Sequence, residues 1–264
     1  MDLGTLVGIL IALAGIGLGL TLEGGSISQI LQPTAALIVF GGTLGATLIA
    51  FPLPVFLSAS KGLIGVFIRS KTDPGEVIAQ IVAFAQKARR KGIISLESDA
   101  DQVQDPFLKQ ALQMAVDGTD PADLRETMEL KLACDEERQD RLPQVWEAAG
   151  GFAPTIGIIG AVLGLIQVMQ HLDDIEEVGK GIAVAFVATI YGVGSANVFF
   201  LPAAAKMKLI NRSGTILRQL MLEGVISILE GMNPRLIETK LRAFLDEQSQ
   251  DRTEPSSEEE SEAA

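Results

Sequence analysis

Charge is missing from long stretches of this chain, and several reactive side chains are nearly missing from all of it. Among 264 residues there is one cysteine, Cys134, one histidine, His171, one tryptophan and one tyrosine. A single cysteine excludes an internal disulfide and a Cys-x-x-Cys metal site. The sequence shows no P-loop, no His-Glu-x-x-His and no nucleophile constellation, so no enzyme reading has support and no metal or cofactor is expected. No segment alternates polar and apolar residues as a half-buried strand does. The formal net charge is −12, and nothing argues for nucleic-acid binding.

Hydrophobicity is abundant instead, at 48 % of residues, with mean hydropathy +0.34 and 27 glycines. It gathers in four runs: 3–22, about 33–57, about 152–170 and about 181–205. None contains Asp, Glu, Lys, Arg or His, and each approaches the roughly 20 residues that a helix needs to cross a bilayer. The first run lacks a basic leader and a small-residue cleavage site, so it reads as a retained helix rather than a signal peptide. Of 21 Lys and Arg, twelve lie between Lys61 and Arg141 and eight between Lys206 and Arg252. With four spans these segments share a side, which the positive-inside rule makes cytoplasmic, together with both termini.

The expected architecture is all-α, with four transmembrane helices in two hairpins and a helical cytoplasmic domain between spans two and three. Its parts are hairpin one (1–58), the cytoplasmic domain (59–150), hairpin two (151–205), C-terminal helices (206–245) and an acidic, disordered tail (246–264). Asp73-Pro74, Asp105-Pro106, Asp120-Pro121 and Asn233-Pro234 each set a capping side chain before a first-turn proline. Gly92 and Gly118 stand where helices should end. A helix from Pro121 runs past Cys134 toward Trp146, where it should approach the membrane interface.

Small residues recur at four-residue spacing: Gly4 and Gly8, Gly15 and Gly19, Gly41 and Gly45, Gly160 and Gly164. Each pair could pack helices within the chain, but four pairs suggest assembly with copies or partners as well. A proton or cation pathway ordinarily needs an ionisable group at membrane depth. His171 lies at the outer end of span three and reads as a solvated loop residue. Either the chain conducts nothing, or a partner brings a carboxylate. Thr189 could line a shared route, or merely back-bond to its own helical turn. Tyr191 could line it too, or pack at the interface.

Four segments carry a resemblance: ARRKGIISLE (88–97), GFAPTIGIIGAVLGLI (151–166), AVAFVATIYGVGSANVFFLP (183–202) and EGMNPRLIETKLRAFL (230–245). With the 2+2 spacing of the spans they resemble the MotA/PomA flagellar stator family, part of the MotA/TolQ/ExbB group. The resemblance covers about residues 1–245, and the acidic tail has no counterpart. It implies an inner-membrane stator unit in which five such chains surround two copies of a MotB-type, single-span partner bearing the ion-binding aspartate. Ion flow would then drive the flagellar rotor.

The resemblance also implies roles for particular residues. Arg89, Arg90 and Glu97 match positions that touch the rotor protein FliG, although basic residues before Gly92 also suit a helix C-terminus. Pro154 and Pro202 match the prolines that couple ion binding to the cytoplasmic domain; Pro154 could equally be a first-turn proline. Thr189 matches a pathway threonine. Ala161 stands where sodium-driven members carry another threonine. Loss of that oxygen favours protons, since a hard cation prefers oxygen ligands, though Ala161 could simply pack beside Gly160 and Gly164. Two other readings remain. One is an ExbB/TolQ-like energiser of an outer-membrane process, against which the span count argues. The other is a non-conducting membrane scaffold.

Overall fold

The computed structural model describes residues 3–68 and 73–250; the end of the acidic tail lies outside them. Helices account for nearly all of the described residues, and no strand occurs among them. In chain order they are α1 (Leu3–Leu22), α2 (Pro33–Ala50), α3 (Leu53–Ile68), α4 (Pro74–Lys91), α5 (Glu97–Gln102), α6 (Pro106–Val116), α7 (Pro121–Gln170), α8 (Ile175–Leu229) and α9 (Pro234–Gln250). Four are long and apolar enough to cross a membrane: α1, α2, α7 and α8.

The four expected caps all form. The side chain of Asp73 accepts from Gly75 N–H, Asp105 from Phe107 and Leu108, Asp120 from Ala122, and Asn233 from Arg235. Each satisfies donors that the first turn of a helix leaves without partners. Gly92 and Gly118 end their helices with φ of 82° and 81°, a region that side chains with a Cβ rarely enter.

Three expectations need correction. The second apolar run is not one helix to Leu57. Phe51 is extended (φ −127°, ψ 140°), because a residue before proline is pushed out of the helical region, and α3 starts afresh at Leu53. Second, the division at 150–151 is not a break in the chain's helix: the helix from Pro121 runs toward Trp146 as expected and then on, so that α7 is continuous for 50 residues, through Pro143 and Pro154. At 1.5 Å per residue it is about 75 Å long, over twice the hydrocarbon thickness, so only its apolar C-terminal part can lie in the bilayer. Third, Pro154 is therefore an interior proline and not a first-turn one. The same length argument confines the membrane part of α8 to its apolar stretch, about 181–205.

The chain divides into two compact units, 1–70 with 138–210 and 71–137 with 211–264. The first holds the four apolar spans and α3. Its core includes Ala59, Val145, Trp146, Ala153, Ala196, Phe200, Ala204 and Met207, with a smaller cluster of Ala35, Val39, Val187 and Ala188. Trp146 is the centre of the first cluster. Its indole Nε1–H donates to Ala59 O at 3.2 Å, and its ring stacks on Phe200 with centroids 6.0 Å apart.

The second unit packs α4, α5, α6, α9 and the adjoining parts of α7 and α8 around Ile81, Leu96, Leu108, Leu112, Leu124, Met128, Leu220, Ile226, Ile237 and Leu241. The absence of a side chain at Gly224 lets Ile81 approach closely: a Cβ there would lie 2.7 Å from its Cγ2. Glu223 stands partly buried between two cations. It accepts from Arg125 at 3.0 Å and from Lys240, tying α7, α8 and α9 together.

Candidate functional site

The membrane parts of α7 and α8 meet along a seam of small residues. A Cβ on Gly164 would lie 2.7 Å from Gly181 O and 2.9 Å from Ala185 N. One on Gly160 would lie 2.7 Å from Ala188 Cβ, and one on Gly157 would lie 2.9 Å from Ala188 O. One on Gly192 would lie 2.6 Å from Ala153 O and 3.0 Å from Gly157 Cα. Backbones therefore touch directly, which only small residues permit. Sequence reading found Gly160 and Gly164. It missed Gly157, Gly181 and Gly192, although the 4-3-4 spacing of Ala153, Gly157, Gly160 and Gly164 was there to be read.

The glycines of α1 and α2 behave differently. Gly8, Gly15, Gly19, Gly41 and Gly45 would have nothing within 4 Å of an added Cβ, and α1 buries none of its apolar stretch. Leu10, Ile11, Leu13 and Leu18 on α1 are all at least 60 % exposed within the single chain. Such a helix needs lipid or other protein around it.

Thr189 lies where α8 crosses α7, and Ala161 follows Gly160 in the chain, next to that crossing. Gly160 faces Ala188, and a Cβ on Gly157 would sit 3.5 Å from Thr189 Cα. Both side chains are half-buried. The Thr189 hydroxyl donates to Ala185 O at 3.2 Å, the local back-bond that its helix position allows. Tyr191 is tied more firmly. Its hydroxyl donates to Ile30 O at 2.6 Å and accepts from Gln32 N–H at 3.4 Å, and its ring stacks on Phe40 at 5.8 Å. It pins α8 to the start of α2, a contact 161 residues apart that no local pattern announces. Ser195 and Asn197 likewise donate to backbone carbonyls, of Gly192 and Val193. Thr43, 1 % exposed on α2, carries the single buried side-chain oxygen without a partner among the described residues.

Pro202 follows a π-helical turn at Ala196–Phe200, where Leu201 N–H reaches back five residues to Ala196 O. A proline ring inside a helix collides with the carbonyl four residues earlier and supplies no N–H. A wide turn just before it relieves both demands, and such turns recur at functional sites. A second π-helical turn lies at Leu37–Gly41 in α2. Lys208 and Glu147 form an ion pair beside Trp146, and Lys206 donates to Thr5 Oγ1 at the start of α1.

Arg89 and Arg90 are exposed in the last turn of α4, and Glu97 is exposed at the first position of α5. Gly92 and a short 3-10 turn, Ile93–Leu96, connect them. None of these three side chains makes an ion pair among the described residues, so the fold leaves them to solvent or to another molecule.

Residues 99–220 match the MotA/TolQ/ExbB proton channel family, and residues 6–92 match the motility protein A N-terminal family. Motility protein A of Bacillus subtilis is 38 % identical over 93 % of this chain and 91 % of its own length. Chemotaxis protein PomA of Vibrio alginolyticus is 34 % identical over 94 % and 96 %. Among solved structures, C. jejuni MotAB superposes with a TM-score of 0.88 at 34 % identity, covering 92 % of this chain and 96 % of that one. The flagellar MotAB stator complex of Bacillus subtilis gives 0.84 at 36 %, covering 94 % and 98 %. The chain belongs to the motility protein A family, within the MotA/TolQ/ExbB proton channel group.

Proposed function

We infer that this chain is a flagellar stator subunit of the bacterial inner membrane, which forms a proton-conducting unit with a MotB-type partner and converts ion flow into torque on the rotor. The observation that carries the reading is the agreement, over more than nine-tenths of the chain, with subunits of MotAB complexes. It is joined by a chemical need. The four apolar runs offer no acid or base, so a conducting complex must take its carboxylate from a second chain. The open glycine faces of α1 and α2 support assembly with copies or partners, and a ring of five such chains around two partner spans fits that demand. An ExbB/TolQ-like energiser is less well supported, given four spans and motility proteins among its relatives.

In this reading Thr189 and Ala161 line the route, and Tyr191 holds the wall in place through Ile30. Pro154 and Pro202 transmit motion from the spans toward the cytoplasmic helices. Arg89, Arg90 and Glu97 meet the rotor protein FliG, and both chain termini are cytoplasmic. Proton coupling follows from Ala161, which offers a methyl where a sodium route needs oxygen.

The test is swimming speed in cells that carry this chain and its partner as the only stator. Speed should follow proton-motive force and ignore external sodium. Speed that saturates with sodium and collapses without it overturns proton coupling; purified complexes that pass no ion overturn the conducting role.

A further inference from the structure

Beside the basic end of α4 lies a small apolar groove, entirely within the second unit. Ala85, Ala88, Ile93, Ile228, Leu229 and Met232 line it, together with Arg89 and Gly231. Its volume is about 170 Å³. Pockets for small molecules run to roughly 300–1,000 Å³, so this one suits a single apolar side chain and not a metabolite. Small residues make the depression: Ala88 has no bulk to fill it, and Gly231 takes the turn after α8 at φ 72° with open space about it.

The charge that closes α4 beside the groove is basic. Arg89, Arg90 and Lys91 close α4, all exposed and all without an ion-pair partner among the described residues. Two acids are close by in the chain, Glu230 beside Leu229 and Glu97 just after the Ile93–Leu96 turn, both exposed and also without an ion-pair partner among the described residues. Next in the chain to Ile93, Ile94 is 70 % exposed, a large apolar residue presented beside three cations. Unpaired cations next to an exposed apolar patch and an open groove make an amphipathic landing place, where charge steers encounter and burial holds the contact.

We propose that this groove receives one apolar side chain from an acidic helix of the rotor, whose carboxylates face Arg89, Arg90 and Lys91. The proposal rests on the rotor-contact reading above and adds an apolar anchor to it. The two parts respond differently to salt. The charge part weakens as ionic strength rises, because exposed charges are screened beyond about 8–10 Å at physiological salt. The anchor part does not.

Complete stator complexes in lipid nanodiscs, titrated with the FliG protein of the same cell, separate these parts. Ala88→Leu fills the groove with a residue of good helix propensity. Ile94→Ser removes the exposed apolar contact at a position the fold does not bury. Each should weaken binding roughly tenfold at any salt concentration, the loss expected when one aliphatic side chain stays in water. Arg89→Glu should weaken binding most at low salt. Loss with Arg89→Glu but none with Ala88→Leu or Ile94→Ser overturns the anchor and leaves the rotor contact standing. No loss with any of the three overturns both. A photo-crosslinking residue at position 94 should join a rotor peptide that contains carboxylates. Attachment to residues 251–264 of this chain, or to a second copy of it, overturns the proposed occupant.

Discussion

Gly192→Ala adds one methyl where the backbones of α7 and α8 approach most closely. The new Cβ would lie 2.6 Å from Ala153 O, 3.0 Å from Gly157 Cα and 3.3 Å from Ala153 C. All three are backbone atoms, so no side chain can rotate away. Relief to an ordinary contact near 3.4 Å requires the helices to part by about 0.8 Å at that point. Opening a packed contact by 0.5–1 Å forfeits roughly a quarter to a half of its dispersion energy. Overpacking of this kind costs about 1–3 kcal/mol. Alanine returns at most about 1 kcal/mol through better helix propensity. Lipid offers no hydrophobic compensation, being as apolar as the side chains it meets. The net expectation is a loss of about 1–2 kcal/mol. Denaturation of the detergent-solubilised complex, followed by fluorescence of the lone Trp146, measures it. Gly179→Ala is the control, since that exposed position at the start of α8 has nothing within 4 Å and lies outside the glycine faces of α1 and α2. Equal stability of the two variants would show that the seam is not closed in the working protein.

Three other outcomes follow. Burial raises the Glu223 carboxyl, but hydrogen bonds and charge from Lys240 and Arg125 outweigh it and hold the group below the usual carboxylate range. A depressed folded value means stability present above the unfolded value, near 4.5, and lost as pH falls through the folded one. Glu223→Gln should therefore cost about 1–2 kcal/mol at neutral pH, between exposed and fully buried pairs, and should flatten the acid limb of a stability profile; an unchanged acid limb would assign that limb to other groups. Trp146→Ala should cost about 3–5 kcal/mol, as large aromatic deletions from cores do, and Trp146→Phe much less; membrane expression and heat resistance of the complex report both. Ala161→Thr should leave folding intact and lower proton-driven speed, and an unchanged speed would show that Ala161 does not face the route.

Much of this fold was legible because its signals are local. Asp or Asn before proline, glycine after the last basic turn, and uncharged runs of about 20 residues each act within a few positions, and apart from the run at about 33–57 each appeared where expected. The break at Phe51 was also local, written in Pro52, but a long apolar run masked it. What stayed hidden depends on distant partners. The bond from Tyr191 to Ile30 joins residues far apart in the chain. The Gly157–Gly192 contact needs two helices before either glycine has meaning. The carboxylate of Glu223 looks like any surface acid until Arg125 and Lys240 converge on it. The rotor-facing candidates were legible as charges, whereas the groove beside them exists only once α4 meets the end of α8.

The π-helical turn at Ala196–Phe200 works as a vernier on α8. Gly192, Ala196, Phe200 and Ala204 are all buried, and so is Ala188 before them, each four residues from the last. In a regular helix every four-residue step overshoots a full turn by about 40°, so four such steps drift about 160° and would carry Ala204 to the far side. A turn holding one extra residue takes back about 100° of that drift. The buried stripe thereby stays on one bearing from Ala188 in the membrane part to Met207 beyond it. Deleting one residue from this turn would give a more regular helix and a misaligned one, with Ala203, Ala204 and Met207 swung about 100° off their packing partners. The irregular turn is what lets this stretch of α8 keep the same side inward from Ala188 to Met207.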